Sequence, residues 1–348
     1  MRRISLVFVI AIAMIAAVGL AAQAPTAGPY KIVKTAKVGG VGGWDYVYAD
    51  SDGRRLYIPR SGQTGARITV YNLDTLESVG EIPNINAHGV AVDPKSGHGF
   101  ASSNPVAMFD TKTLALIKTI DVGTTARPDG ILFDPFNQRV WILSHQAPNA
   151  TVIDTKDGSI VGTVDLGGAP EQAQSDGNGH LYVDIEDKNQ IAAVDTKTLA
   201  VTAHYDTTGC DGPGGLGFDA KNHVLFASCH NNVMAIASST DGKVITTLPI
   251  GQGTDGALFN PSTMEAFSSN GDGTLSIIKE NSPTSFVVEQ NLATQAGART
   301  SSLDSKTGHV FLITAEFGPP PATPPPGGRG GRRGPMLPDS FTILVAGK

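Results

Sequence analysis

Gly130-Ile131-Leu132-Phe133, Arg139-Val140-Trp141-Ile142-Leu143, Ala150-Thr151-Val152-Ile153 and Ile160-Val161-Gly162-Thr163-Val164 follow one another in mid-chain. Each run is short, apolar and rich in β-branched residues, the composition of a strand rather than a helix. Between the last two lies Asp154-Thr155-Lys156-Asp157-Gly158, a cluster of turn formers. The same turn returns as Asp110-Thr111-Lys112-Thr113 and Asp195-Thr196-Lys197-Thr198, so the unit repeats.

Its period is regular. An apolar segment ends in Asp or Asn at Asp50, Asp93, Asp134, Asp176, Asp219, Asn260 and Asp304, with spacings of 43, 41, 42, 43, 41 and 44 residues. An aromatic residue follows seven residues later, six in the fourth repeat: Tyr57, Phe100, Trp141, Tyr182, Phe226, Phe267 and Phe311. A four-stranded unit of about 40–45 residues, repeated around a ring, is a propeller blade. The fold class is therefore all-β, a seven-bladed β-propeller with four-stranded blades. The last blade has strands near 300–303, 310–314 and 341–345 and then runs out of chain. Tyr30 to Val38 matches a fourth strand, so the N-terminal strand is expected to complete blade seven and hide two sheet edges.

Composition agrees. Glycine (41) and proline (22) are too frequent among 348 residues for long helices, while 40% apolar residues can supply a core. A formal charge of −6 excludes a general nucleic-acid surface, which needs a basic stripe. Residues 1–24 read as an export signal: Arg2 and Arg3, an apolar run from Ile4 to Leu20, then Ala22-Gln23-Ala24 for cleavage. An uncleaved membrane anchor is the alternative, and no later segment could span a bilayer. The expected location is the periplasm or outside the cell, with residues 25–348 as one domain and, by expectation, a monomer. Gly318 to Pro338, with eight prolines and six glycines, is a loop insertion in the last blade that cannot pack as a strand. It reads as a surface loop or a partner-docking motif. Cys210 and Cys229 form a disulfide by default in an oxidising compartment; with His230 they could instead ligate a metal.

Pro128-Asp129-Gly130-Ile131-Leu132-Phe133-Asp134, Leu181-Tyr182-Val183 and Val152-Ile153-Asp154-Thr155 resemble the YVTN-type, YncE-like β-propeller repeat family over residues 30–348. The resemblance implies seven blades and an exported or surface-associated protein; it does not specify an activity. Gly43-Trp44-Asp45 places Trp-Asp at the start of a blade, unlike a WD40 signature. Cys-x-x-Cys-His is absent, so covalent haem is not expected, and Walker A, His-Glu-x-x-His and Gly-x-Ser-x-Gly motifs are missing as well.

In a propeller the innermost strands line the channel. Five residues before each Asp/Asn marker lie Asp45, His88, Asp129, Glu171, Gly214, Asp255 and Arg299, six of them ionisable. Four residues after each aromatic marker lie Ser61, Asn104, His145, Glu186, His230, Gly271 and Ala315, with Glu316 beside the last. Both sets are expected on one face of the ring. Asp45, Asp129, Glu171 and Asp255 would repel one another unless their pKa values rise, a cation sits among them, or Arg299 and His88 compensate. A structural salt-bridge network would look the same from sequence.

The expected function is an exported periplasmic binding or scaffold propeller. Its ligand site is Asp45, His88, Asp129, Glu171, Asp255 and Arg299, with His145, Glu186 and His230 beside them. A divalent metal is a possible cofactor, and a small molecule or peptide at the funnel is the expected partner. The alternative is a metal-assisted hydrolase of lactone type, with His88 as candidate base between Asp45 and Asp129; this rests on what the family resemblance implies.

Overall fold

A computed structural model of the chain describes residues 25–63, 65–123, 126–319 and 334–348. Residues 1–24, read from sequence as an export signal, and residues 320–333 of the insertion lie outside the described residues. Seven antiparallel sheets of four strands each make up the fold. Blade three, for example, runs Pro128–Asp134, Arg139–Ser144, Asn149–Asp154 and Ile160–Asp165. Among the described residues the helical content is one 3-10 turn, Glu186–Lys188, and no helix is long and apolar enough to cross a membrane.

The repeat has a physical cause. Each marker carboxylate closes the turn that follows it: Asp50, Asp93 and Asp219 accept from backbone N–H groups at 2.9 Å, and Asn260 does so at 3.0 Å. The carboxylates also link blades, as when Thr155 donates to Asp93 Oδ2 at 2.7 Å and Ser175 to Asp134 Oδ1 at 2.8 Å. The aromatic markers fill the wedge between neighbouring blades. Trp141 packs with Leu181, Val183 and Ile185 of blade four, and Phe226 stacks on Phe259 of blade six at 5.2 Å.

Lys31–Lys37 pairs antiparallel with Thr342–Gly347, so the first strand is the outer strand of blade seven, as the sequence predicts. A clasp reinforces this closure. Tyr30 packs edge-on against Phe267, and its hydroxyl donates to Glu265, a fully buried carboxylate of blade six. Lys348 donates to the other oxygen of the same carboxylate at 2.7 Å.

The insertion departs from expectation at its stem. Gly318 N–H donates to Pro335 at 2.8 Å and Leu337 N–H to Glu316 at 2.8 Å, so its two ends pair. Proline forbids donation but not acceptance, and Pro335 only accepts here.

Candidate functional site

The ionisable positions do converge at one end of the channel. Each lies at or just before the start of an inner strand, where the backbone turns in from the rim. His88 Nδ1 lies 2.9 Å from Asp45 Oδ2 and 3.3 Å from Asp129 Oδ1. Next around the ring, His145 Nδ1 approaches Glu171 Oε1 at 2.9 Å and His145 Nε2 lies 3.7 Å from Glu186 Oε2. His230 Nδ1 follows, 3.5 Å from Glu186 Oε1. Arg299 Nε meets Asp255 Oδ2 at 3.2 Å, which takes that carboxylate out of the histidine clusters.

The exceptions in the two columns explain one another. Gly214 is the non-ionisable member of the first, and a Cβ there would lie 3.0 Å from Nε2 of the His230 ring. Space at one position is filled from the other. Asn104 turns to the Gly123 and Ala126 carbonyls, and Glu316 pairs with Lys37 at 3.3 Å; neither joins the cluster.

Sequence reasoning missed three channel residues. Tyr46 reaches across from blade one, and its hydroxyl lies 3.2 Å from Glu171 Oε2 of blade four. Gln172 spans from blade four, accepting from Leu216 N–H at 3.0 Å and donating to the Ala257 carbonyl at 3.1 Å. Asp184 is 0% exposed, and neither of its oxygens has a hydrogen-bond partner. A signal for the first two was present. The position one residue after the ionisable column reads Tyr46, Gly89, Gly130, Gln172, Gly215, Gly256 and Thr300. At Gly130 a Cβ would collide with the Glu171 carbonyl at 2.2 Å. Glycine lets the inner strands approach closely, and the two long side chains close the remaining space.

Burial favours the protonated forms of Asp129 and Asp255. Burial, reinforced by Asp45 and Glu171 and opposed by His88, pushes Asp129 up to about 7. Burial likewise raises Asp255 to about 8 against the pull of Arg299. Contact with Glu171 lifts His145 to about 9, and contact with Asp45 raises His88. Burial and then Glu171 raise the Tyr46 hydroxyl well above an ordinary phenol. Two groups have ligand atoms within 4.8 Å of one another, Asp45–His88–Asp129 and His145–Glu171–Glu186; each offers one imidazole and two carboxylates. Beside the mouth, a cavity of about 480 Å³ is walled by Trp44, Phe317, Met336 and Arg299.

Cys210 and Cys229 are joined as a disulfide with Cα atoms 5.4 Å apart, so their sulfurs are not metal ligands. The bridge ties the loop before blade five's inner strand to the strand end that carries His230.

The fold and the mouth together define a seven-bladed β-propeller with an ionisable cup at one end of its channel. No family profile matches the chain. Over 187 residues it is 24% identical to the uncharacterized protein YncE of Salmonella typhi, covering 52% of each chain. The YncE protein of Salmonella typhimurium matches at the same identity and coverage. The chain spans about half the length of these curated relatives. Among solved structures, the RRP9 WD40 repeats superpose with a TM-score of 0.72 at 8% identity, covering 94% of this chain and 100% of that one. A chain of the mitotic checkpoint complex gives 0.70 at 12% identity, covering 86% and 94%. These structures share the fold alone. The weak YncE homology and the blade count together support a likeness to YncE-type propellers.

Proposed function

We propose that this chain is a binding propeller of the periplasm that holds a cation, either a divalent metal or a cationic group, at the mouth of its channel. The convergence of Asp45, Asp129, Glu171 and Glu186 on two histidines carries this reading. Burying carboxylates together disfavours their charged forms, and a cation that binds the folded state offsets that cost and stabilises it by mass action. The Trp44–Phe317–Met336 cavity next to the mouth would take an apolar portion of the same ligand. Periplasmic residence is supported by the apparent export signal and the disulfide.

A lactone hydrolase is the second reading, favoured by His88 standing between two carboxylates with Nδ1 engaged. Its weakness is protonation. Contact with Asp45 raises the His88 pKa, which suits an acid or a binding group better than a base at neutral pH. A thermal-shift panel of divalent metals and amines tests the binding reading. The parent should gain stability, and the double variant Asp129→Asn, Glu186→Gln should keep the fold while losing the gain. Absence of any gain in the parent would refute the proposal.

A further inference from the structure

We propose that the mouth holds two divalent cations side by side, one in Asp45–His88–Asp129 and one in His145–Glu171–Glu186. This deepens the cation reading above and rests on it. Within each triad the ligand atoms lie within 4.8 Å of one another, a separation that small side-chain movements close around one ion. One imidazole with two carboxylates suits a zinc-class ion better than calcium or magnesium, which favour all-oxygen sites.

Hydrogen bonding leaves both triads unsatisfied. Asp129 is 8% exposed, and its Oδ1 has no hydrogen-bond donor. The Nδ1 it faces at 3.3 Å is closer to Asp45, at 2.9 Å, and one N–H cannot serve both. In the second triad His145 Nδ1 is buried and meets only the carboxylate of Glu171, Oε1 at 2.9 Å. Asp184, whose own carboxyl is unpartnered and fully buried, feels the charge of Glu171. A metal in each triad would supply what the protein groups do not give one another.

Charge decides the number. Asp255 is matched by Arg299, so four carboxylates remain: Asp45, Asp129, Glu171 and Glu186. One divalent ion would leave half of that charge uncompensated in a partly buried site, and two balance it. Asp129 of one triad feels the charge of Glu171 of the other across the boundary between them. Negative charge at that boundary screens the repulsion between two ions.

The test is zinc stoichiometry on the full mature chain, stripped with chelator, titrated by calorimetry and checked by elemental analysis. Two equivalents are expected. Asp129→Asn and Glu186→Gln should each retain one, and the double variant none, with circular dichroism confirming the fold; Asp45→Asn replaces Asp129→Asn if that variant does not fold. A single equivalent bound by the parent, and none by either variant, would overturn the second site and leave the single-cation reading standing. Stabilisation by an amine without zinc uptake would overturn the metal inference while the binding reading survives. Response to neither would remove both.

Discussion

Tyr46 of blade one and Glu171 of blade four meet across the channel, hydroxyl to carboxylate, at 3.2 Å. A ring of blades has no covalent tie across its hole, so this contact and the Gln172 bridge to Leu216 and Ala257 are what span it. Tyr46→Phe should keep the ring filled but leave Glu171 Oε2 without its donor, costing about 1 kcal/mol in urea unfolding. Tyr46→Ala, which also vacates the ring volume, should cost about 3 kcal/mol or more. Equal losses would mean that the hydroxyl, not the ring, is what matters.

The disulfide should be complete in protein made in an oxidising compartment, with no thiol titrating under denaturing conditions. Replacing Cys210 and Cys229 by Ala opens a loop with a sequence separation of 19 and should lower stability by about 3 kcal/mol. His230 leaves the same strand end, so cation affinity at the mouth should weaken in this variant as well.

The Glu265 clasp gives a pH dependence of definite sign. Burial opposes ionisation of Glu265, but donors from Lys348, Tyr30 and Thr263 outweigh it and hold the carboxyl below its ordinary value. A depressed folded pKa adds stability above the unfolded value of about 4.3, lost as pH falls through the folded one. Melting temperature should therefore drop below about pH 4 in the parent, and drop less steeply in Glu265→Gln. Parallel curves for the two proteins would contradict the clasp.

Deletion of residues 30–38 removes the outer strand of blade seven together with Tyr30, and should abolish cooperative unfolding. Joining Pro319 to Gly334 removes residues 320–333, and those two positions already lie against each other. That deletion should shift the melting temperature by no more than a few degrees. Scanning calorimetry of the two deletions would show whether blade seven depends on the first strand.

The blades were legible because each marker does a job that every blade needs. Asp50 or Asp93 closes a turn, and Phe100 or Trp141 fills a wedge, so sequence position stands in for spatial position. The ionisable column was legible for the same reason. Its pairing was not: Arg299 chooses Asp255, and Glu186 joins His145 rather than standing apart, through side-chain reach around the ring. Tyr46, Gln172 and Asp184 were harder still, since each breaks its column. The partners of Tyr46 and Gln172 lie on other blades, and the glycines that admit them mark only where space was left.

Glu265 receives Tyr30 from the beginning of the described chain and Lys348 from its end. A force applied at either terminus therefore meets the same carboxylate. Lys31 pairs with Gly347, so tension between the two ends would open the antiparallel pair from that end, and the clasp on Glu265 of blade six sits where the opening would start. The closure is thus held at one shared carboxylate, and the ring resists pulling as one object rather than as seven.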